Sequence, residues 1–209
     1  VVPIGERHQQ TLYLMVKKDG VMVREALRPT LFVPMTGAAE ANRNVLPDPA
    51  NPKLLNGDFE EGVDENGFVS GWYYQRLAEL VEDSGAPSGT HFVEFKNDVP
   101  GQLSHLMQGF AIDGRKVPRV KFSVSFSCEN VRPGPRPQDL PAAWITFYDS
   151  EREELNTVMI GQLHGTQRWQ HLHREIRVPQ GTRESIVRVG LFGATGTARF
   201  DNVTVQAQR

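Results

Sequence analysis

The most regular pattern in the chain is KFSVSFSCEN, in which Phe122, Val124, Phe126 and Cys128 alternate with Ser123, Ser125 and Ser127. A period of two puts the apolar side chains on one face of a strand and the hydroxyls on the other. WITFYDS repeats the pattern, with Ile145 and Phe147 on one face and Trp144, Thr146 and Tyr148 opposite. GTHFVEFKN, HLHREIRVP, SIVRVGLFG and TARFDNVTV are further strand-like runs, separated by clusters of turn-forming residues. NVRPGPRPQDLP is too rich in proline for strand or helix and is predicted to be a loop. Only QRLAELVEDSG has spacing that suits a short helix. Near the start, Leu12, Leu14 and Val16 alternate before Asp19-Gly20, and Val21 and Val23 resume after it. That arrangement predicts a hairpin whose turn takes positive φ at little cost. Leu31-Phe32-Val33 predicts one more strand, and the polar, proline-bearing TGAAEANRNVLPDPANPK predicts a linker.

Many short strands without βαβ alternation predict an all-β chain, an antiparallel β-sandwich of jelly-roll type preceded by an N-terminal β-hairpin segment. The expected boundaries are residues 1–37 for the hairpin segment, 38–53 for the linker and 54–209 for the sandwich. Nineteen glycines and fourteen prolines agree with a turn-rich fold. A formal net charge of −2 leaves no electrostatic footprint for nucleic acid or an anionic membrane. No apolar run approaches the roughly twenty residues of a membrane-spanning helix. The single cysteine excludes an internal disulfide, and Cys128, in line with two phenylalanines, reads as a small buried hydrophobe. The chain opens on VVPIG, strand-like and without methionine, which suggests a piece of a longer protein.

The densest acidic stretch is NGDFEEG, with Asp58, Glu60 and Glu61 around Phe59. It breaks the ligand spacing of an EF-hand loop. Neighbouring carboxylates on one short segment rarely straddle a substrate as glycoside hydrolysis requires. Hydrolysis would instead need Glu94, Asp149 or Asp58 to line a cleft as a pair. His171 and His173 share a strand face at metal-ligand spacing, but no third ligand is placed beside them by sequence. An aromatic platform with directed polar groups is the usual requirement of a sugar site. Trp144 and Tyr148 supply the rings on the face opposite Ile145 and Phe147, the serines of 123–127 are expected beside them, and Arg188 adds a donor fork. Trp72, Tyr73 and Tyr74 form a second aromatic group near a loop.

Two resemblances join these features. Val2-Pro3-Ile4-Gly5, Gln10, the Lys18-Asp19-Gly20 turn and Phe32-Val33-Pro34 occur in the order in which protein-L-isoaspartate O-methyltransferases end, so residues 1–37 resemble that family's C-terminal tail. The glycine-rich loop that cradles S-adenosylmethionine lies upstream in that family. The resemblance therefore implies a methyltransferase parent, a cytoplasmic location and a fragment that neither binds the cofactor nor catalyses. Asn56-Gly57-Asp58-Phe59-Glu60, Gly71-Trp72, Ser88-Gly89, Trp169-Gln170, Val178-Pro179 and Gly196–Val203 resemble the galactose-binding-like jelly rolls of carbohydrate-binding modules. In many such modules an early Glu and a late Asp hold a structural calcium ion, and Glu60 and Asp201 match those positions. Carbonyls of a turn such as Ser88-Gly89-Thr90 would complete the shell. The alternative is that both stand solvated at strand ends, or pair with Arg199 or Lys53. Trp72 and Trp169 match positions that often pack the core of these modules.

The expected function is a non-catalytic binding module for carbohydrate or a protein surface, with Trp144, Tyr148 and Arg188 as ligand residues and Glu60 and Asp201 as possible calcium ligands. The competing readings are a structural or protein-interaction module of the parent enzyme, and a glycoside-active enzyme.

Overall fold

The computed structural model describes residues 1–6, 9–30, 50–65 and 67–208. The predicted strand at Leu31-Phe32-Val33 and most of the 38–53 linker lie outside them. Thirteen strands and no helix are present among the described residues. The N-terminal segment is a three-stranded antiparallel sheet of β1 (Val2–Glu6), β2 (Gln9–Lys18) and β3 (Val21–Thr30) in the order β1-β2-β3. The predicted hairpin is β2–β3. Its turn has φ 50° at Asp19 and 84° at Gly20, the doubly positive turn that matches the twist of paired strands.

The remaining strands are β4 (Tyr73–Arg76), β5 (Ala78–Glu82), β6 (His91–Asn97), β7 (His105–Ala111), β8 (Arg119–Arg132), β9 (Ala142–Tyr148), β10 (Glu154–Gly161), β11 (Gly165–Arg177), β12 (Glu184–Gly190) and β13 (Thr195–Gln208). They form two five-stranded antiparallel sheets, a front sheet ordered β10-β9-β12-β7-β4 and a back sheet ordered β11-β8-β13-β6-β5. This is the antiparallel sandwich of jelly-roll type that the alternation predicted. From β8 the chain passes back, front, front, back, front, back, so every consecutive pair except β9–β10 is divided between the two sheets.

Alternation decides what each strand buries. Phe122, Val124, Phe126 and Cys128 of β8 turn inward, as do Ile145 and Phe147 of β9, Val187 and Val189 of β12, and Phe200 of β13. Phe126 stacks on Phe200 with centroids 4.6 Å apart, and Phe95 meets Phe200 edge-on at 5.8 Å. Burial raises the pKa of the Cys128 thiol, which keeps it protonated and inert within the core. Phe59 and Trp72 stack at 5.5 Å under the entrance of the chain, and Trp72 Nε1 donates to the Asn56 carbonyl at 2.9 Å.

QRLAELVEDSG is not helical. β4 ends at Arg76, Leu77 takes φ 53°, and β5 pairs with β6 from Ala78 to Glu82. Ala78 and Leu80 pack against the core while Glu79 and Glu82 are exposed. The apolar spacing fits either element, and pairing with β6 selects the strand.

Candidate functional site

The outward positions of the front sheet come into line through strand register. Met159 of β10 lies opposite Trp144 of β9, Trp144 opposite Arg188 of β12, Arg188 opposite Met107 of β7, and Met107 opposite Tyr73 of β4. Paired residues of antiparallel strands project to the same side, so these five form one row across the whole sheet. Tyr148 stands on the same face in another row, opposite Glu154 and Glu184. The structure thus brings together Trp144 and Arg188 as direct neighbours and places Tyr148 farther along their face.

Around this row the polar groups are fixed by one another. Arg188 donates from Nη2 to Thr146 Oγ1 at 3.0 Å, and Thr157 donates to the same oxygen at 2.9 Å. Arg188 Nε and His105 Nδ1 are buried and have no hydrogen-bond partner among the described residues. His105 stacks on Phe192 at 5.6 Å, and Phe192 meets Trp144 edge-on at 6.1 Å. Burial, with the guanidiniums of Arg188 and Arg76 nearby, pushes the His105 pKa down to about 4, so the imidazole is neutral at neutral pH. Glu184, farther along the face, is ion-paired with Arg152.

The serines of 123–127 are not beside these residues. They lie on β8, on the outer surface of the back sheet, because Phe122, Val124 and Phe126 use the inward positions. Ser123 and Thr204 hydroxyls are 2.6 Å apart. Ser125 and Ser127 are also buried. Phe92 of β6 and Trp169 of β11 reach across the two strands between them and meet edge-on at 5.4 Å. Small hydroxyl side chains on the central strands leave room for these rings. Trp169 is therefore half-exposed on the outside of the sandwich instead of filling its core, whereas Trp72 is fully buried. Of the second aromatic group, only Tyr73 belongs to the front-face row, and Tyr74 is exposed with φ 54°.

Glu60 and Asp201 flank the Ser88-Gly89-Thr90 turn. Glu60 Oε1 accepts from the backbone N–H groups of Thr90 at 2.9 Å and His91 at 2.7 Å, and Oε2 lies 3.2 Å from His91 Nδ1. Asp201 Oδ2 accepts from Ser88 N–H at 2.7 Å. Gly89 has φ +59°, and a Cβ there would sit 2.3 Å from the Glu60 carboxyl carbon. The turn therefore presents N–H groups, not carbonyls, to the two carboxylates. His91 hydrogen bonds hold the Glu60 pKa below its usual value. Burial, with smaller contributions from Glu60 and Asp58, pushes Asp201 up to about 6. A cation would relieve that repulsion, which is the respect in which these residues fit one. Among the described residues no group of three or more His, Cys, Asp or Glu side chains could hold a metal ion, so other ligands would have to be backbone or neutral side-chain oxygens or water. Arg199 pairs with Glu94 and Glu129, not with Asp201.

The carboxylates considered for hydrolysis are dispersed. Glu94 is on the back sheet, bonded to Lys96 and Arg199, and Asp149 caps the turn after β9 through the N–H groups of Glu151 and Glu153. Asp58 is exposed beside the turn that holds Glu60. His171 and His173 rings lie 6.3 Å apart on the exposed edge strand β11.

No protein-family model and no curated protein sequence matches the chain. Solved structures do match in fold. The enzymatically active domain of bacteriophage CBA120 tailspike protein 4 aligns with a TM-score of 0.58 and 12% identity over 74% of this chain and 21% of the tailspike chain. A family 16 carbohydrate-binding module aligns with a TM-score of 0.48 and 15% identity over 73% of this chain and 97% of its own. The CBM22-1–GH10 modules of Clostridium thermocellum xylanase 10B, solved with xylohexaose, align at 0.48 and 16% over 75% of this chain and 29% of that one. At these identities the likeness concerns the jelly-roll fold alone.

Proposed function

We propose that the sandwich is a non-catalytic carbohydrate-binding module whose ligand lies along the front-sheet row of Met159, Trp144, Arg188, Met107 and Tyr73. The observation that carries this reading is the row itself, a ring platform with a guanidinium fork set between apolar side chains. Sugar rings stack their C–H faces on aromatic planes while their hydroxyls take directed hydrogen bonds. The dispersion of Glu94, Asp149 and Asp58 favours binding over hydrolysis. A saccharide-array screen of the chain tests the reading. Trp144→Ala should weaken binding of any hit by about thirtyfold, equivalent to about 2 kcal/mol of lost ring contact. Unchanged affinity in that variant would remove the front face from the reading.

Calcium belongs to the same proposal, held by the Glu60 and Asp201 carboxylates with backbone oxygens. Chelator should then lower the melting temperature of the wild type and leave a Glu60→Ala, Asp201→Ala variant unmoved. Equal melts of the wild type with and without chelator would remove the ion.

Residues 1–37 are read as the tail of a protein-L-isoaspartate O-methyltransferase domain that the sandwich would tether to its ligand. The resemblance of that segment carries this part, with Phe32-Val33-Pro34 outside the described residues. The exposed Val2, Ile4, Val16, Val21, Met22 and Val23 of the β1–β3 sheet also favour a partner surface there, which suits the protein-interaction reading. Methylation of an isoaspartyl peptide by the natural gene product tests the parentage.

A further inference from the structure

Four arginines among the described residues are half-buried: Arg152, Arg183, Arg188 and Arg199. Three of them meet a carboxylate, Arg152 with Glu184, Arg183 with Asp113, and Arg199 with Glu94 and Glu129. Arg188 alone has no carboxylate among the described residues, although its Nε is buried and unpartnered. A guanidinium withdrawn from water without a counter-charge is costly, and a bound anion removes that cost. A second cation, Arg76, lies in register with His105 and close enough to act on it, and it too lacks a carboxylate partner among the described residues. His105 adds an unpartnered nitrogen between the two.

We propose that the front face selects polysaccharides that carry uronate residues, the sugar ring lying on Trp144 and its carboxylate meeting Arg188 with Arg76 behind it. This rests on the carbohydrate-binding reading of the same face and narrows its ligand class. A guanidinium recognises a carboxylate through its planar array of N–H donors, and Arg188, with Nε buried and Nη2 engaged by Thr146, has Nη1 left to meet one. The neutral His105 brings no third positive charge to the face, which leaves the two arginines as its cations. The positive charge is local in a chain of net charge −2, so the face suits single carboxylates spaced along a glycan better than a dense polyanion.

The test uses the whole chain and calorimetric titration with oligosaccharides of galacturonate, of mannuronate and guluronate, and of glucuronoxylan. Each acidic probe is compared with its methyl ester, which keeps ring and linkage but removes the charge, and dextran sulfate serves as a generic polyanion. The expected result is at least one acidic probe binding about tenfold or more tightly than its ester, equivalent to about 1.4 kcal/mol. Arg188→Gln and Arg76→Gln should each shrink that ratio towards one. Trp144→Ala should weaken acid and ester alike. Arg76 is exposed, so its variant should melt as the wild type does and separates loss of charge from loss of fold. Esters or neutral oligosaccharides that bind as well as the acids would overturn the uronate inference and leave the carbohydrate reading standing. Binding of no oligosaccharide, acidic or neutral, would overturn both. Dextran sulfate matching the uronates, or an acid preference that survives both arginine variants, would overturn the inference alone.

Discussion

Phe200→Ala is expected to destabilise the sandwich by about 3–5 kcal/mol, the range for removing a buried aromatic ring from a close-packed core. Phe200 lies on β13, the central strand of the back sheet, opposite Phe126 on one side and Val93 on the other. Its ring is fully buried between the parallel ring of Phe126 and the edge-on ring of Phe95. Alanine would leave a cavity that three strands must collapse to fill, and β-sheet backbones relax poorly because the ladder fixes them. The ring geometry adds roughly 1 kcal/mol to the area lost. For a chain of this length the melting temperature should fall by about 6–20 °C. Phe200→Leu keeps most of the volume and should cost less than half as much. Val21→Ala, at an exposed site of β3, should move the midpoint within about 0.5 kcal/mol of zero. A loss below about 1 kcal/mol for Phe200→Ala in urea unfolding would mean that the sheets do not close over this ring.

The residues that made the fold legible are those whose alternation is unbroken. β8 and β9 read directly, because every inward position from Phe122 to Cys128 and at Ile145 and Phe147 is apolar. β7 was hidden by Gln108, a polar residue at an inward position. Its amide accepts from Leu55 N–H and donates to the Leu55 and Gly71 carbonyls, tying the entering chain to the sheet. A buried amide that satisfies backbone groups fifty residues away leaves no local pattern. The candidate face was half legible for a related reason. Period two correctly set Trp144 and Tyr148 opposite Ile145, and Arg188 opposite Val187. The register that seats Arg188 between Trp144 and Met107 is a long-range property, as is the arrival of Tyr73 and His105. Alternation assigns a residue to a face of its own strand but not to a sheet. That is why the serines of β8 were expected beside Trp144 and instead lie on the other sheet, under Phe92 and Trp169.

In chelator-treated protein, stability is expected to be nearly flat between about pH 4.5 and 6, because two large slopes oppose each other there. Asp201 has a folded-state pKa of about 6 against an ordinary 3.8. The native state holds its proton more tightly than the unfolded state, so this group lowers stability as pH rises through the interval. His105 has a folded-state pKa of about 4 against an ordinary 6.5. There the unfolded state binds the proton more tightly, so the imidazole raises stability as pH rises through the same interval. Both displacements are large, so each slope should be measurable once the other is removed. Glu60 and Glu94, held below 4.5, and Asp113 and Asp139, held below 3.8, lose their contributions mainly at lower pH and steepen the acid limb instead. Removing one partner of the opposed pair should expose the other. Asp201→Asn should become more stable as pH rises from 4.5 to 6, and His105→Gln should become less stable over the same range. Asparagine turns an amide toward the backbone N–H of Ser88 or Asn202, which lowers the whole Asp201→Asn curve without altering its slope. The slope, not the height, is therefore the diagnostic quantity. Variants that both keep the wild-type slope in urea unfolding across this range would show that neither buried group titrates where its surroundings place it.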